Sequence, residues 1–163
     1  MCFGDDKVAD LLENYYRNLF TSTAPIEIEE VVQYTTRVVD DEMNQMLVAD
    51  FTRIEVEVAL KQMAPLKELG SDWMPPIFYQ HYWLNIRDEV AEAIISCLNL
   101  GKTLTGLNHT FLTLIPKLKC LESIYEFRPI ALCNILYKLI WKVLTNRLKI
   151  ILPQIISESQ STF

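Results

Sequence analysis

The sequence predicts an α+β fold that is mainly α-helical: N-terminal helices, then one β-hairpin, then a long basic amphipathic helix. Three observations predict it. Apolar residues recur at helical spacing through the first hundred positions. Only residues 109–132 carry short runs of strand type. The stretch after them returns to a helical period with lysines along one face. At 163 residues, half hydrophobic and 22% charged, the chain has a globular composition and enough length to enclose a core.

Residues 5–20 read as an amphipathic helix, because Val8, Leu11, Leu12, Tyr15, Tyr16, Leu19 and Phe20 follow one another at intervals of three and four. Thr21 to Pro25 then reads as a linker. Asp40, Asp41 and Glu42 open a short helix over 40–49, where their charges suit a helix N-terminus. Thr52 starts the next helix. With Glu55 it forms a capping box, and Val56, Leu60 and Met63 follow on one face before Pro65. Residues 66–76, LKELGSDWMPP, form a loop. Pro75 and Pro76 open a long helical stretch from about Ile77 to Leu98, kinked near Asn85, with Gly101 as its C′ residue. HTFLTLIPK (109–117) and EFRPIAL (126–132) read as two strands with a long connection, Pro129 placing the second at an edge or a bulge. The helix over 134–153 takes Asn134 as N-cap and ends at Pro153.

Composition also excludes classes of function. No apolar run approaches the roughly 18 residues that cross a bilayer, and the acidic N-terminus lacks the apolar core of a signal peptide. The expectation is an intracellular, non-secreted protein with no membrane partner. Cys2, Cys97, Cys120 and Cys133 are scattered, and neither His81 nor His109 supplies the close ligand pair that a zinc site needs, so no metal or other cofactor is expected in this chain. The net charge of −6 hides an asymmetry. Residues 1–97 carry 18 acidic and 7 basic side chains, a balance of −11, whereas residues 98–163 carry 3 acidic and 8 basic, a balance of +5. Such asymmetry suits a basic part that faces a polyanion. On charge alone, a solvated face beside an acidic helical region is the favoured reading.

Two groups of cations could carry chemistry. Lys138, Lys142, Thr145 and Lys149 lie at i, i+4, i+7 and i+11, one polar stripe with no carboxylate between 127 and 157 to partner it. A basic stripe with no carboxylate on its own helix is what a phosphate backbone would meet, although an ordinary solvated face has the same pattern. Lys117 and Arg128 each adjoin a proline, in IPK and FRPI, on the two arms of the hairpin. Two cations on a stiff hairpin can grip a polyphosphate, the lysine as a point charge and the arginine as a fork. The aromatic group Tyr79, His81, Tyr82 and Trp83 could stack on bases, but core packing is the expected use.

The run FLTLIPK…EFRPIALCNILYKLIWKVLTNRLKIILPQIISESQSTF resembles the fingers of reverse transcriptases from plant LINE-type non-LTR retrotransposons. The likeness extends upstream through FTRIEVEVALKQMAPLKELGSDWMPPIFYQHYW and SCLNLGKTLTGLNHTFLTLIPK. It implies a helical N-terminal extension over 1–49 and a partial reverse transcriptase domain over 50–163, comprising fingers and the start of the palm. It implies triphosphate contacts at Lys117 and Arg128, which would orient the phosphates of a deoxynucleoside triphosphate. It further implies contacts to an RNA template or RNA–DNA duplex at Lys138, Lys142, Arg147 and Lys149. The loop Gly70-Ser71-Asp72-Trp73 stands where the family has Gly-Pro-Asp-Gly. Lys67, Gly70 and Asp72 match that motif, and Trp73 replaces its second glycine.

The family's RNA-directed DNA polymerase uses Mg²⁺ held by palm aspartates. No Asp occurs after Asp88 in this sequence, so the chain by itself is expected to be inactive. The parent family acts in the nucleus. A non-catalytic nucleic-acid-binding module and a decayed transposable-element remnant without function stay open beside this reading.

Overall fold

In a computed structural model the described residues are 5–22, 28–34, 37–66, 69–101, 106, 107, 109–121 and 123–156. They form an α+β arrangement, mainly helical, with one two-stranded sheet. The chain divides into two compact units: Met1–Arg37 with Pro116–Phe127, and Val38–Ile115 with Arg128–Phe163.

The first unit contains α1 (Asp5–Leu19), α2 (Ile28–Val32) and the far end of the hairpin. The α1 helix follows the predicted period, and Arg17 pairs with Glu13 one turn back. Tyr16 is the buried member of its apolar stripe, while Leu11, Leu19 and Phe20 stay exposed. Tyr15 meets Tyr125 edge to face, ring centres 5.2 Å apart, which joins α1 to the hairpin connection. Part of the linker expected at 21–25 lies outside the described residues.

The second unit holds α3 (Asp41–Val48), α4 (Arg53–Lys61), α5 (Pro76–His81), α6 (Trp83–Leu100) and α7 (Ile135–Ile155), with the base of the hairpin. Its core is Val56, Ala59, Leu60 and Met63 from α4 and just beyond it, Trp83, Ala91 and Ile94 from α6, and Ile135, Leu139 and Val143 from α7. All but Met63 lie within a helix, and a fully buried Leu or Ile stabilises the fold by about 1.5–3 kcal/mol. Capping follows the sequence closely. The Asp40 carboxylate accepts from the Met43 amide at 2.7 Å. Thr52 and Glu55 form the expected reciprocal capping box. Gly101 ends α6 in the left-handed region, φ 62°, as glycine does without steric cost. Gln80 donates to the carbonyls of Leu60 and Met63, both at 2.9 Å, and so ties α5 to the end of α4.

The strands are β1 (Thr110–Pro116) and β2 (Phe127–Cys133), paired as a hairpin. Because the sheet has two strands, Pro129 costs no ladder bond on an outer side. A 3₁₀ turn, Ile124–Glu126, precedes β2.

Three details differ from the sequence reading. The break in the long helical stretch falls at Tyr82, not near Asn85. The Tyr82 carbonyl accepts from both Asn85 and Ile86 and so starts α6. Pro153 lies inside α7 rather than past it. A proline so near a C-terminus forfeits one hydrogen bond, and the helical bond from Ile156 N to Leu152 O, 2.9 Å, forms beyond it. Asn134 occupies the N-cap position of α7, but its side chain does not cap.

Candidate nucleic-acid interface

The α7 helix sorts its cations by register. Ile135, Leu139, Val143, Arg147 and Ile151 are spaced by four and form its buried stripe. Lys138, Lys142 and Thr145 are half-buried on the adjoining stripe, and Lys149 is exposed. Among the described residues, Lys142 and Lys149 make no hydrogen bond or ion pair. Lys138 and Lys142 line a groove of about 470 Å³ with Tyr137, Trp141, Thr145, Gln62 and Met63. Among the described residues, no carboxylate lines it. Trp141, 53% exposed, forms part of its wall, and the ring of Tyr137 stands 6.1 Å away from the indole.

Arg147, expected on the nucleic-acid face, is corrected by the structure. Its side chain is 9% exposed, and all five N–H donors are engaged. Nε donates to Glu55 Oε1 at 2.6 Å and Nη2 to Glu55 Oε2 at 3.0 Å. The same Nη2 reaches the Asp50 carbonyl at 2.8 Å, and Nη1 reaches the carbonyls of Leu47 and Ala49. The guanidinium also lies 3.5 Å from the centre of the Phe51 ring. This is a structural clamp that fastens the α3–α4 connection onto α7. A signal for it was present in the sequence: Arg147 lies four residues after Val143 and four before Ile151, in the apolar row. The guanidinium bond holds the Glu55 carboxyl below its ordinary value, aided by the Thr52 amide and hydroxyl and opposed by partial burial.

Lys117 follows β1. Its amide donates to the Glu126 carbonyl at 2.7 Å, and its ammonium donates to the Tyr125 carbonyl at 2.7 Å. The Glu126 carboxylate accepts from the Ser123 amide at 3.1 Å, a capping box that fixes the 3₁₀ turn under Tyr125. The Lys117 ammonium is thus held by a neutral oxygen, a partner that a phosphate outcompetes by charge. Arg128, in β2, is exposed and makes no hydrogen bond or ion pair among the described residues. Lys117 belongs to the first unit and Arg128 to the second.

The loop after α4 reaches the start of α7. Gly70 packs so closely on the Cys133–Asn134 peptide that a side-chain carbon would collide with the Cys133 carbonyl. Asp72 Oδ2 accepts from the Ile135 amide at 3.0 Å, and the Ser71 hydroxyl donates to Asn134 Oδ1 at 2.7 Å. Asp72 therefore caps α7 from outside, the task that the sequence assigns to Asn134. Trp73 adopts φ 54° and is 74% exposed. Lys67 lies outside the described residues. Among the described residues, no group of three or more His, Cys, Asp or Glu could hold a metal ion, and no helix is long and apolar enough to cross a membrane.

No family model matches the chain. The chain is similar to the "Transposon TX1 uncharacterized 149 kDa protein" of Xenopus laevis, with 27% identity over 158 residues. The likeness spans 96% of this chain and 12% of that protein.

Proposed function

We propose that the chain derives from a non-LTR retrotransposon and is the fingers portion of its RNA-directed DNA polymerase, contributing nucleotide and template contacts. Residues 1–49 are read as a helical extension and 50–163 as the partial polymerase domain. The likeness to a transposon protein over nearly the whole chain supports the origin. The plant LINE-type strings around IPK and FRPI support the polymerase reading.

The observation that carries the binding role is the groove on α7, which has Lys138 and Lys142 in its wall and, among the described residues, no carboxylate. These lysines, with exposed Lys149, contact the phosphates of an RNA template or RNA–DNA duplex. Arg147 holds the helix that presents them. The resemblance assigns phosphate contacts with a deoxynucleotide to Lys117 and to Arg128, and palm aspartates would hold Mg²⁺ in the complete enzyme.

Binding of the full chain to a labelled RNA–DNA duplex tests this across a range of salt. Each phosphate contact contributes about −0.9 to the slope of log K against log salt. Lys138→Gln with Lys142→Gln flattens that slope by about two units and leaves the circular dichroism spectrum unchanged. Equal slopes for wild type and double variant would mean a merely solvated face, and would favour the remnant without function.

A further inference from the structure

The groove on α7 offers more than charge. Trp141 and Tyr137 line both this basic groove and a second cavity of about 240 Å³ formed with Ile140, Leu144, Cys97 and Leu98. Among the described residues, no charged side chain lines the second cavity. Trp141 is thus a half-exposed indole set between an uncharged hollow on one side and two lysines on the other. A double-stranded backbone makes no use of an indole, because its bases are already stacked. An unpaired base does, since every base has a face that stacks on an aromatic ring.

We propose that the groove is a binding site for single-stranded nucleic acid, in which one unpaired base stacks on Trp141 and its flanking phosphate meets Lys142. The inference rests on the nucleic-acid reading above and narrows it to unpaired strand. Charge complementarity selects this occupant. Among the described residues the lining carries two lysines and no carboxylate, which suits a polyanion and not an acid-balanced protein surface. The volume of about 470 Å³ accommodates a nucleotide. Thr145 donates to the Trp141 carbonyl at 2.7 Å and also lines the groove. Gln62, directly after α4, also lines the groove.

The test compares a fluorescein-labelled 12-nucleotide oligo(dT) with a 12-base-pair duplex, using the full chain and the variants Trp141→Leu, Trp141→Phe and Lys142→Gln. Trp141→Leu keeps apolar bulk and removes the aromatic face. It is expected to weaken single-strand binding about 10-fold, within the range found for loss of one base–aromatic stack, and to leave duplex binding and both salt slopes unchanged. Trp141→Phe retains most of the affinity. Lys142→Gln lowers the salt slope by about 0.7 on the single strand. Equal effects of Trp141→Leu on the two probes, or none on either, overturn the inference while duplex binding by the wild type leaves the broader reading intact. Unchanged nucleic-acid binding with loss of self-association in Trp141→Leu would identify a protein-covered face, and would also overturn it. Failure of the wild type to bind either probe at 50 mM salt overturns both readings.

Discussion

At the scale of single residues, Arg147 and Lys142 show how little separates a structural cation from a binding one. They lie five positions apart on the same helix, and both read as unpartnered basic residues when only local carboxylates are counted. Arg147 falls in the row of Leu139 and Val143, so its charge turns inward and finds Glu55, 92 residues away in sequence. Lys142 falls one row over and keeps its ammonium at a groove. A long-range partner of this kind has no local trace, but the register does, and register is the firmer guide. Removing one partner of a buried pair costs about 3–5 kcal/mol. Arg147→Met is expected near the lower end, about 3 kcal/mol in urea unfolding, because Glu55 is partly solvated and can recover water. The pair also fixes a pH dependence. Glu55 has a folded-state pKa below its unfolded value, so its contribution is fully present above about pH 4.3 and is lost as pH falls through the folded value. The urea midpoint of the wild type therefore drops more steeply between about pH 5 and pH 3 than that of Glu55→Gln. Parallel curves would mean that the guanidinium does not stabilise the carboxylate.

At the scale of elements, most boundaries were legible because each is set by chemistry within a few residues. The Thr52–Glu55 box, Asp40 and Gly101 act on their own helix ends and appear where the sequence puts them. The start of α7 also falls where the sequence puts it, after Asn134, but the group that caps it is not legible locally. Its cap comes from Asp72, 63 residues upstream, which reaches Ile135 only because Gly70 lets two backbones approach. The loop over 69–74 is thus a structural brace for the helix that carries the lysines. It is an imperfect one. Position 73 requires φ 54°, a region that costs a bulky residue roughly 1–2 kcal/mol, and it holds an exposed tryptophan. Trp73→Gly is expected to raise stability by about 1 kcal/mol, since little packing is lost and the strain is removed. Thermal melts of the two proteins decide this, and a lower melting temperature for the glycine variant would mean that the indole makes stabilising contacts. Lys117 illustrates a different limit. Its place after a strand is readable from IPK, whereas its engagement by the Tyr125 carbonyl depends on a 3₁₀ turn that a ten-residue connection does not announce.

At the scale of the whole molecule, the chain carries two drives to associate, and they respond oppositely to salt. The charge balance of −11 over residues 1–97 and +5 over 98–163 favours pairing of unlike halves between copies. The apolar drive comes from large side chains left in water, among them Leu11, Leu19 and Phe20 on α1, Leu84 on α6 and Trp141 on α7. Exposed apolar groups gathered along one helix favour burial against another surface. In magnitude the apolar drive dominates. Exposed ion pairs contribute about 0–1 kcal/mol each and are screened at high salt, where the Debye length at 1 M is about 3 Å. Burying even one large apolar side chain is worth about 1.5–3 kcal/mol and is not screened. The chain is therefore expected to self-associate at tens of micromolar, and to remain associated as sodium chloride rises from about 0.05 to 0.5 M. Sedimentation velocity across that range measures it. Leu11→Gln with Phe20→Gln should shift the distribution toward monomer if α1 provides the contact, without a change in helix content. Dissociation of the wild type by salt alone would mean that the unlike charges hold the copies together, and a monomer at every concentration would mean that these side chains are individually too dispersed to form a contact.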